Sequence, residues 1–189
     1  MIRAADALGV IRLVAAGCLP FALQAPRWRP LPVLLFAIAA VTDYVDGEVA
    51  RRGRGPTRHG AVLDNVADIV FVLAGTVAGA ALGLVPAAAP LAIAVAFGVY
   101  AAASLGRSTP ARSRVGHAAG VLNYALVGLI AGAVAIPSGV WEPILRAGSL
   151  TIVAVNATAV LQRLVPALLG SAHASRDAGR AVRSGRSSA

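Results

Sequence analysis

Charged residues are scarce in this sequence of 189 residues: they make up 13% of the chain, whereas 58% of the residues are hydrophobic. The mean hydropathy is +0.76, which lies well outside the range of soluble globular domains. The composition therefore argues against an ordinary soluble domain and predicts an integral membrane protein.

Lysine is absent and cysteine occurs once, as Cys18. A single cysteine excludes an intramolecular disulfide and hence a disulfide-stabilised scaffold. All seventeen basic residues are arginines, and they are unevenly distributed along the chain. We therefore interpret the formal net charge of +9 through membrane topology and expect no nucleic-acid partner.

Apolar segments of about 20 residues, the length of a membrane-spanning helix, occur six times in the sequence. Arg12 interrupts the first, and the bulky, basic stretch "QAPRWRP" follows it, so we expect it to be retained and not cleaved as a signal peptide. Stretches rich in proline, glycine and arginine separate the segments and leave no room for a soluble domain. The sequence predicts an all-α fold, a polytopic six-transmembrane-helix bundle with spans near 7–25, 31–51, 60–84, 87–106, 116–136 and 143–168.

The arginines predict the orientation of this bundle. Thirteen lie on the side of the two termini, three lie on the opposite side, and Arg12 lies within a span. Cytoplasmic loops carry the excess of basic residues in membrane proteins, so both termini and the loops 52–59 and 107–115 are predicted to be cytoplasmic. We expect residues 1–170 to form the transmembrane domain and residues 171–189 to form a disordered, arginine-rich cytoplasmic tail.

Five of the eight acidic residues, four of them aspartates, fall in the short stretch "DYVDGEVARRGRGPTRHGAVLDNVAD". Asp43 and Asp46 are predicted near the end of the second helix, and Asp64 and Asp68 near the start of the third. The spacings i, i+3 and i, i+4 place each pair on one helical face. At a rise of about 1.5 Å per residue, Asp43 and Asp68 lie roughly 12 Å below the loop. Two antiparallel helices can therefore bring four carboxylates together.

Two interpretations of these aspartates follow from the residues alone. The aspartates can pair with nearby arginines and stabilise the fold, or they can hold divalent cations. An ionisable residue within a span is costly and marks a functional site by default. Four converging carboxylates also repel one another unless positive charge lies between them, so a site for Mg²⁺ or Mn²⁺, which prefer oxygen ligands, is favoured.

Small residues and one arginine accompany the aspartates. Gly47 and Ala50 share a helical face with Asp43 and Asp46, Gly60 opens the third helix, and Arg51 lies where it can reach a phosphate. These small residues allow a ligand to approach the backbone, although close helix packing explains them equally well.

The complete spacing, Asp43-x2-Asp46-Gly47-x2-Ala50-Arg51-x8-Gly60-x3-Asp64-x3-Asp68, resembles at every fixed position the signature of the CDP-alcohol phosphotransferase (CDP-alcohol phosphatidyltransferase) family. The resemblance implies that the four aspartates hold two divalent cations, Mg²⁺ or Mn²⁺, and that Asp68 is also the general base. It further implies that the CDP moiety contacts Gly47, Ala50, Arg51 and Gly60.

The resemblance also implies a reaction. A phosphatidyl group moves from CDP-diacylglycerol to the hydroxyl of a small polar alcohol, with glycerol 3-phosphate or inositol phosphate favoured, and CMP is released by two-metal in-line attack. Homodimers are common in the family, so one is expected here. The active site is expected near the cytoplasmic face of the cell membrane, where acyl chains stay in the bilayer and the water-soluble acceptor enters from the loop side.

An acceptor that carries a phosphate requires cationic partners. The candidates are the arginines of the cytoplasmic rim: Arg58, Arg107, Arg112 and Arg114. The orientation rule alone also accounts for them.

Several polar and small residues within the spans have two explanations. His117, Asn123 and Tyr124 can line the acceptor cavity or form hydrogen bonds between helices. The GxxxG steps at Gly75, Gly79 and Gly83, and at Gly128 and Gly132, indicate close helix packing, within the bundle or across a dimer.

The start of the first helix departs from the family pattern Asn-x2-Thr-x2-Arg, because Asp6 and Gly9 stand at the first two positions and only Arg12 is kept. Two other classes remain open on the sequence. A multi-pass cation transporter also places acidic residues in its spans, although along a pathway and often with repeat symmetry, and a non-catalytic membrane adaptor can retain the same aspartates.

Overall fold

The computed structural model describes the backbone of residues 4–52, 58–104 and 114–185, and the side chains of 7–25, 27–45, 62, 64–104 and 114–165. The described residues form six α-helices and one short 3-10 turn, Pro26–Trp28. The prediction of an all-α fold is therefore confirmed for this part of the chain. The helices are α1 Ala4–Leu23, α2 Leu31–Arg52, α3 Arg58–Ala81, α4 Ala88–Ser104, α5 Arg114–Ala135 and α6 Trp141–Gly185.

Three of the helices are long and apolar enough to cross a membrane: Asp64–Ala81 within α3, Arg114–Ala135 and Trp141–Val165 within α6. The apolar parts of α1, α2 and α4 are shorter, at Ala7–Leu23, Leu31–Val45 and Ala88–Ser104. Arg12 lies within the first of these segments and Asp43 within the second. Six helices are therefore present in the described residues, and the number of membrane crossings stays a prediction.

Helix α3 ends three residues before the predicted position, at a glycine C-cap. Gly83 has a φ of 72°, a left-handed conformation that glycine adopts without steric cost. The amide of Leu84 donates to the carbonyl of Gly79 at 2.9 Å, and that of Gly83 donates to Ala80 at 3.0 Å. These two bonds form a Schellman motif, which closes the helix before Pro86.

Helix α6 is much longer than predicted, because its backbone remains helical to Gly185. The predicted boundary between the transmembrane domain and the tail, at residue 171, lies inside this helix, and the division into domain and tail stays a prediction. Alanine and arginine, which make up seven of the fifteen residues 171–185, are both strong helix formers. The prediction relied on the loss of apolar periodicity, which removes the packing face of a helix but not its intrinsic propensity.

The packing places α1 beside both α2 and α3, while α4 and α5 both lie against α6. Helix α5 connects the two groups by contacting α2 and α3. The centre is filled by fully buried apolar side chains from α1, α3 and α5, among them Leu19, Phe71 and Ile130. Helix α1, which carries Arg12, therefore contacts both of the helices that carry the aspartates.

The glycine steps pack within the bundle. A β-carbon at Gly75 would lie 2.7 Å from Val127, one at Gly79 would lie 2.8 Å from Ile130, and one at Gly128 would lie 2.8 Å from Phe36. Gly132 faces the ring of Trp141, whereas Gly83 has open space around it. Of the two alternatives for these glycines, packing between helices of one chain accounts for four of the five.

Candidate active site

The site begins with one charged side chain on α1. Arg12, Ala15, Ala16 and Leu19 are all buried, and their spacing of three and four residues forms one face of the helix. This face packs against α2 and α3. The geometry of α1 therefore buries the Arg12 guanidinium between the two helices that carry the aspartates.

Asp64 and Asp68 lie one turn apart on α3, in line with the buried Phe71 below them. Asp43 lies on α2 one turn after the buried Ala39, and the neighbouring Thr42 donates its hydroxyl to the carbonyls of Ile38 and Ala39 at 2.9 Å. Each aspartate thus occupies the upper end of a helical face whose lower part is packed.

Arg12 joins the three carboxylates. Its Nη1 donates to Oδ1 of Asp64 at 2.7 Å and to Oδ1 of Asp68 at 2.5 Å. Its Nη2 lies 3.4 Å from Oδ1 of Asp43, which is within ion-pair distance. The carboxylates themselves are accessible, because the side chains of Asp43, Asp64 and Asp68 are 51%, 37% and 35% exposed.

The arrangement has the donor set of a hard-cation site. One carboxylate oxygen from each of Asp43, Asp64 and Asp68 lies within 4.8 Å of the others. Hard divalent cations are held by such oxygen ligands and tolerate water at the remaining positions. Three carboxylates against one guanidinium also leave an excess of negative charge, so the residues present fit a divalent cation.

The structure brings together three of the four predicted aspartates. Asp46 lies on α2 three residues after Asp43, and its side chain is outside the described residues. The same is true of the side chains of Ala50, Arg51 and Arg58, and of the environment of Gly47 and Gly60, although their backbones lie in α2 or α3. Arg107 and Arg112 fall outside the described residues, and Arg114, the first residue of α5, is exposed.

Arg12 is the site residue that sequence reasoning did not assign. The sequence marks Arg12 as a retained family position and as the one arginine within a span, but it assigns no role to this residue. The signal was available, since Arg12 is the one charged residue of its predicted span 7–25, and such a residue requires a partner within the bundle. What the sequence could not supply was the identity of that partner.

Of the polar residues on α5, Asn123 forms hydrogen bonds between helices. Its side-chain amide accepts from Asn156 of α6 at 2.8 Å and donates back at 3.3 Å, with both residues buried. His117 is exposed. The interhelical explanation is therefore confirmed for Asn123.

Tyr124 lies nearer the aspartates. Its ring stacks on Phe71 at a centroid distance of 5.3 Å and contacts Phe36 at 5.5 Å. Its hydroxyl is buried and has no hydrogen-bond partner among the described residues. Phe71 is one turn after Asp68 on α3, so Tyr124 packs against the turn of α3 that follows the carboxylate cluster.

Comparison with known proteins identifies the family to which this chain belongs. The model of the family described as CDP-alcohol phosphatidyltransferase matches residues 2–163, which include α1 to α5, the first half of α6 and every aspartate of the cluster. The chain belongs to the CDP-alcohol phosphatidyltransferase family. The resemblance that the aspartate spacing indicated is thereby confirmed over most of the chain.

Individual members of the family match over a shorter segment. A CDP-diacylglycerol--glycerol-3-phosphate 3-phosphatidyltransferase of Sodalis glossinidius is 52% identical over 60 residues, which is 31% of this chain and 30% of the relative. The protein of the same name from Salmonella choleraesuis is 51% identical over 61 residues, 32% of this chain and 31% of the relative. The protein of the same name from Escherichia coli K12 is 54% identical over 46 residues, which is 24% of this chain and 25% of the relative. The matched segment thus spans less than a third of these relatives.

Proposed function

We propose that this chain is a phospholipid-synthesising transferase that moves a phosphatidyl group from CDP-diacylglycerol to the hydroxyl of a small alcohol and releases CMP. The observation that carries this proposal is the convergence of Asp43, Asp64 and Asp68 within 4.8 Å in a chain of the CDP-alcohol phosphatidyltransferase family. Three carboxylates grouped at one end of the bundle fit a single reaction centre better than a cation pathway along the spans.

Glycerol 3-phosphate is the acceptor that we favour over inositol phosphate. The names of the similar proteins from Sodalis, Salmonella and Escherichia support this choice. An acceptor phosphate requires cationic side chains, which the rim arginines supply: Arg58, Arg107, Arg112 and Arg114.

In this function Asp43, Asp46, Asp64 and Asp68 hold two divalent cations, Mg²⁺ or Mn²⁺. Such cations, when bound, neutralise the charge of the donor diphosphate and of the departing CMP. Gly47, Ala50 and Gly60 leave space for the CDP moiety beside the helix backbones, and Arg51 binds one of its phosphates.

Asp68 is the general base of the reaction. The acceptor oxygen forms a bond to the phosphorus of the phosphatidyl group while the bond between that phosphorus and the CMP oxygen breaks, and the hydroxyl proton passes to Asp68. In the structure Arg12 contacts Oδ1 of Asp68. We assign the proton to the other oxygen, Oδ2.

The membrane arrangement follows from the same assignment. We propose a multi-pass protein whose six helices all cross the membrane, with both termini and the site on the cytoplasmic side and with residues 1–170 as the catalytic domain. Acyl chains of the donor then stay in the bilayer, while glycerol 3-phosphate enters from the loops. We also propose that the protein is a homodimer.

The test is CMP release from CDP-diacylglycerol by the purified full-length protein, with Mg²⁺ or Mn²⁺ and a panel of alcohols. We expect glycerol 3-phosphate to give the highest rate and Asp68→Asn to reduce that rate by at least about 100-fold, in the range of general-base contributions. Glu142→Gln, an exposed residue of α6, is the matched control and should retain full activity. If no alcohol yields CMP above the Asp68→Asn background, the proposed function is wrong.

The rim arginines have their own test. Replacing Arg112 and Arg114 with glutamine should raise KM for glycerol 3-phosphate with little change in KM for CDP-diacylglycerol. An unchanged KM for glycerol 3-phosphate would show that these arginines do not bind the acceptor and only determine the orientation of the protein in the membrane.

A further inference from the structure

The Arg12 guanidinium is held in an unusual environment for a charged group in a membrane protein. Its side chain is fully buried, and all three of its ion-pair partners belong to the proposed cation site. The proposed metal ligands and the partners of the buried arginine are therefore the same carboxylate groups, since Asp64 and Asp68 both accept from Nη1 through Oδ1.

Charge explains why a cation is needed at this place. Three carboxylates whose oxygens lie within 4.8 Å of one another repel strongly wherever water screens them poorly. A positive charge between them removes most of this repulsion and allows α2 and α3 to keep the aspartates converged. Arg12 supplies that charge from α1 without any bound ion.

The pairing is incomplete in one respect. Nε and Nη2 of Arg12 are buried and have no hydrogen-bond partner among the described residues. A buried arginine with a purely structural role normally has its donors satisfied, because unsatisfied donors are costly. The guanidinium thus forms its hydrogen bonds to the carboxylates through Nη1. Few hydrogen bonds are therefore lost when the guanidinium moves away from the carboxylates.

We propose that Arg12 is a positioning residue that serves as the intramolecular counter-cation of the aspartate cluster. It holds Asp43, Asp64 and Asp68 together when no divalent cation is bound, and it opposes the binding of divalent cations to the same carboxylates. This inference rests on the proposed function, because it assumes that the cluster is a divalent-cation site.

The first test is direct binding of Mn²⁺ to the purified protein without substrates, measured from the electron paramagnetic resonance signal of free Mn²⁺. Arg12→Gln removes the competing charge and should bind Mn²⁺ at least about tenfold more tightly than the unmodified protein. Arg12→Lys keeps a positive charge and should stay within a few-fold of the unmodified affinity. Arg146→Gln, an exposed arginine on α6, is the matched control and should not change the affinity.

The second test measures thermal unfolding in EDTA, where no divalent cation contributes. Arg12→Gln should lower the unfolding temperature by several degrees, and Mn²⁺ should restore more stability to this variant than to the unmodified protein. Adding Asp64→Asn and Asp68→Asn to Arg12→Gln removes the repulsion and should recover most of the loss in EDTA.

The outcomes separate this inference from the proposed function. Mn²⁺ binding of equal or lower affinity in Arg12→Gln would overturn the counter-cation role while leaving the metal site intact. Absence of Mn²⁺ binding in all variants would refute the metal site itself and the inference with it. An Arg12→Gln protein that unfolds equally with and without Mn²⁺, and that the asparagine substitutions do not rescue, would assign Arg12 a packing role only.

Discussion

Asp64 illustrates how a single residue serves two purposes in this molecule. Its Oδ1 accepts a hydrogen bond from the buried Arg12 at 2.7 Å, and its carboxylate is also one of the three that converge. The position is therefore under two constraints, one from the charge on α1 and one from the proposed cation.

Replacement of Asp64 by asparagine should separate these constraints. We expect Asp64→Asn to weaken Mn²⁺ binding and to lower CMP release by about 100-fold or more, since even indirect partners of a metal cost 10- to 100-fold. The Mn²⁺ titration and the CMP assay measure the two effects. Asp177→Asn, far along α6 from the cluster in sequence, should behave like the unmodified protein. Full Mn²⁺ affinity in Asp64→Asn would remove this residue from the ligand set.

The buried pair Asn123 and Asn156 gives a second prediction for single residues. Asn156→Leu leaves the Asn123 amide without its partner and should destabilise the protein by about 1 kcal/mol, within the range measured for such bonds in membrane bundles. The double variant Asn123→Leu with Asn156→Leu leaves no unpaired amide and should be less destabilised than the single variant. Thermal unfolding in detergent measures both. Additive losses in the double variant would contradict the pairing.

At the residue scale the sequence predicted the aspartates well and Arg12 poorly. The spacing of the aspartates predicts their cluster, because i, i+3 and i, i+4 repeats place carboxylates on one face of each helix. Arg12 lies 31 residues before Asp43, and no local pattern connects two helices at that separation. Only the packing of α1 against α2 and α3 shows that the three aspartates share one arginine.

Helix α3 is the element on which the site and the packing depend together. Its upper turns carry Asp64 and Asp68, and its lower turns carry Gly75 and Gly79, which allow α5 to approach closely. A change in the distance between α3 and its neighbours would therefore alter the position of the carboxylates as well as the core.

Gly75→Ala tests this close approach. The added β-carbon would lie 2.7 and 3.1 Å from the two γ-methyl groups of Val127 and 3.0 Å from Leu19. Neither methyl of a β-branched side chain can turn away freely, so we expect a loss of about 1–3 kcal/mol in the free energy of unfolding. Unfolding of the purified protein by heat or denaturant measures the change.

Gly98→Ala on α4 is the matched control for Gly75→Ala. It also lies inside a helix, but nothing lies within 4 Å of the added carbon. Alanine should therefore be neutral or stabilising there by up to about 1 kcal/mol, from helix propensity alone. Equal effects of the two substitutions would show that close packing at Gly75 is unimportant.

At the element scale, hydrophobic length predicted the number of helices and most of their bounds. It misplaced the end of α3, because the glycine C-cap at Gly83 stops the helix inside an apolar run. It also misplaced the end of α6, because intrinsic propensity continues the helix past the last apolar residues. Both differences have local causes that hydropathy does not measure.

The whole molecule is a bundle in which three helices carry the length and apolarity of membrane spans and three are shorter in their apolar part. The apolar segments predict that all six cross the bilayer, and the distribution of arginines predicts that both termini are cytoplasmic.

Labelling of single cysteines tests this topology in a Cys18→Ala background. Ser108→Cys, in the loop 107–115 predicted from the sequence, should react with a membrane-impermeant thiol reagent from the cytoplasmic side only. Ser138→Cys, in the loop between α5 and α6, should react from the opposite side only. Inverted membrane vesicles and intact cells provide the two directions of labelling. Labelling of both positions from the same side would show that α5, which lies between them, does not cross the membrane.

The sequence by itself determined the membrane class, the helical fold and the family, because composition, apolar length and aspartate spacing are properties of neighbouring residues. It also placed two aspartates on each of two helices before their distance was known. The tertiary structure decided which side chains share one site. Only the tertiary structure shows that Arg12 forms ion pairs with Asp43, Asp64 and Asp68 and that Asn123 and Asn156 are hydrogen-bonded. These partners are separated by tens of residues in the chain, and they meet only because the packing of whole helices brings their polar faces together.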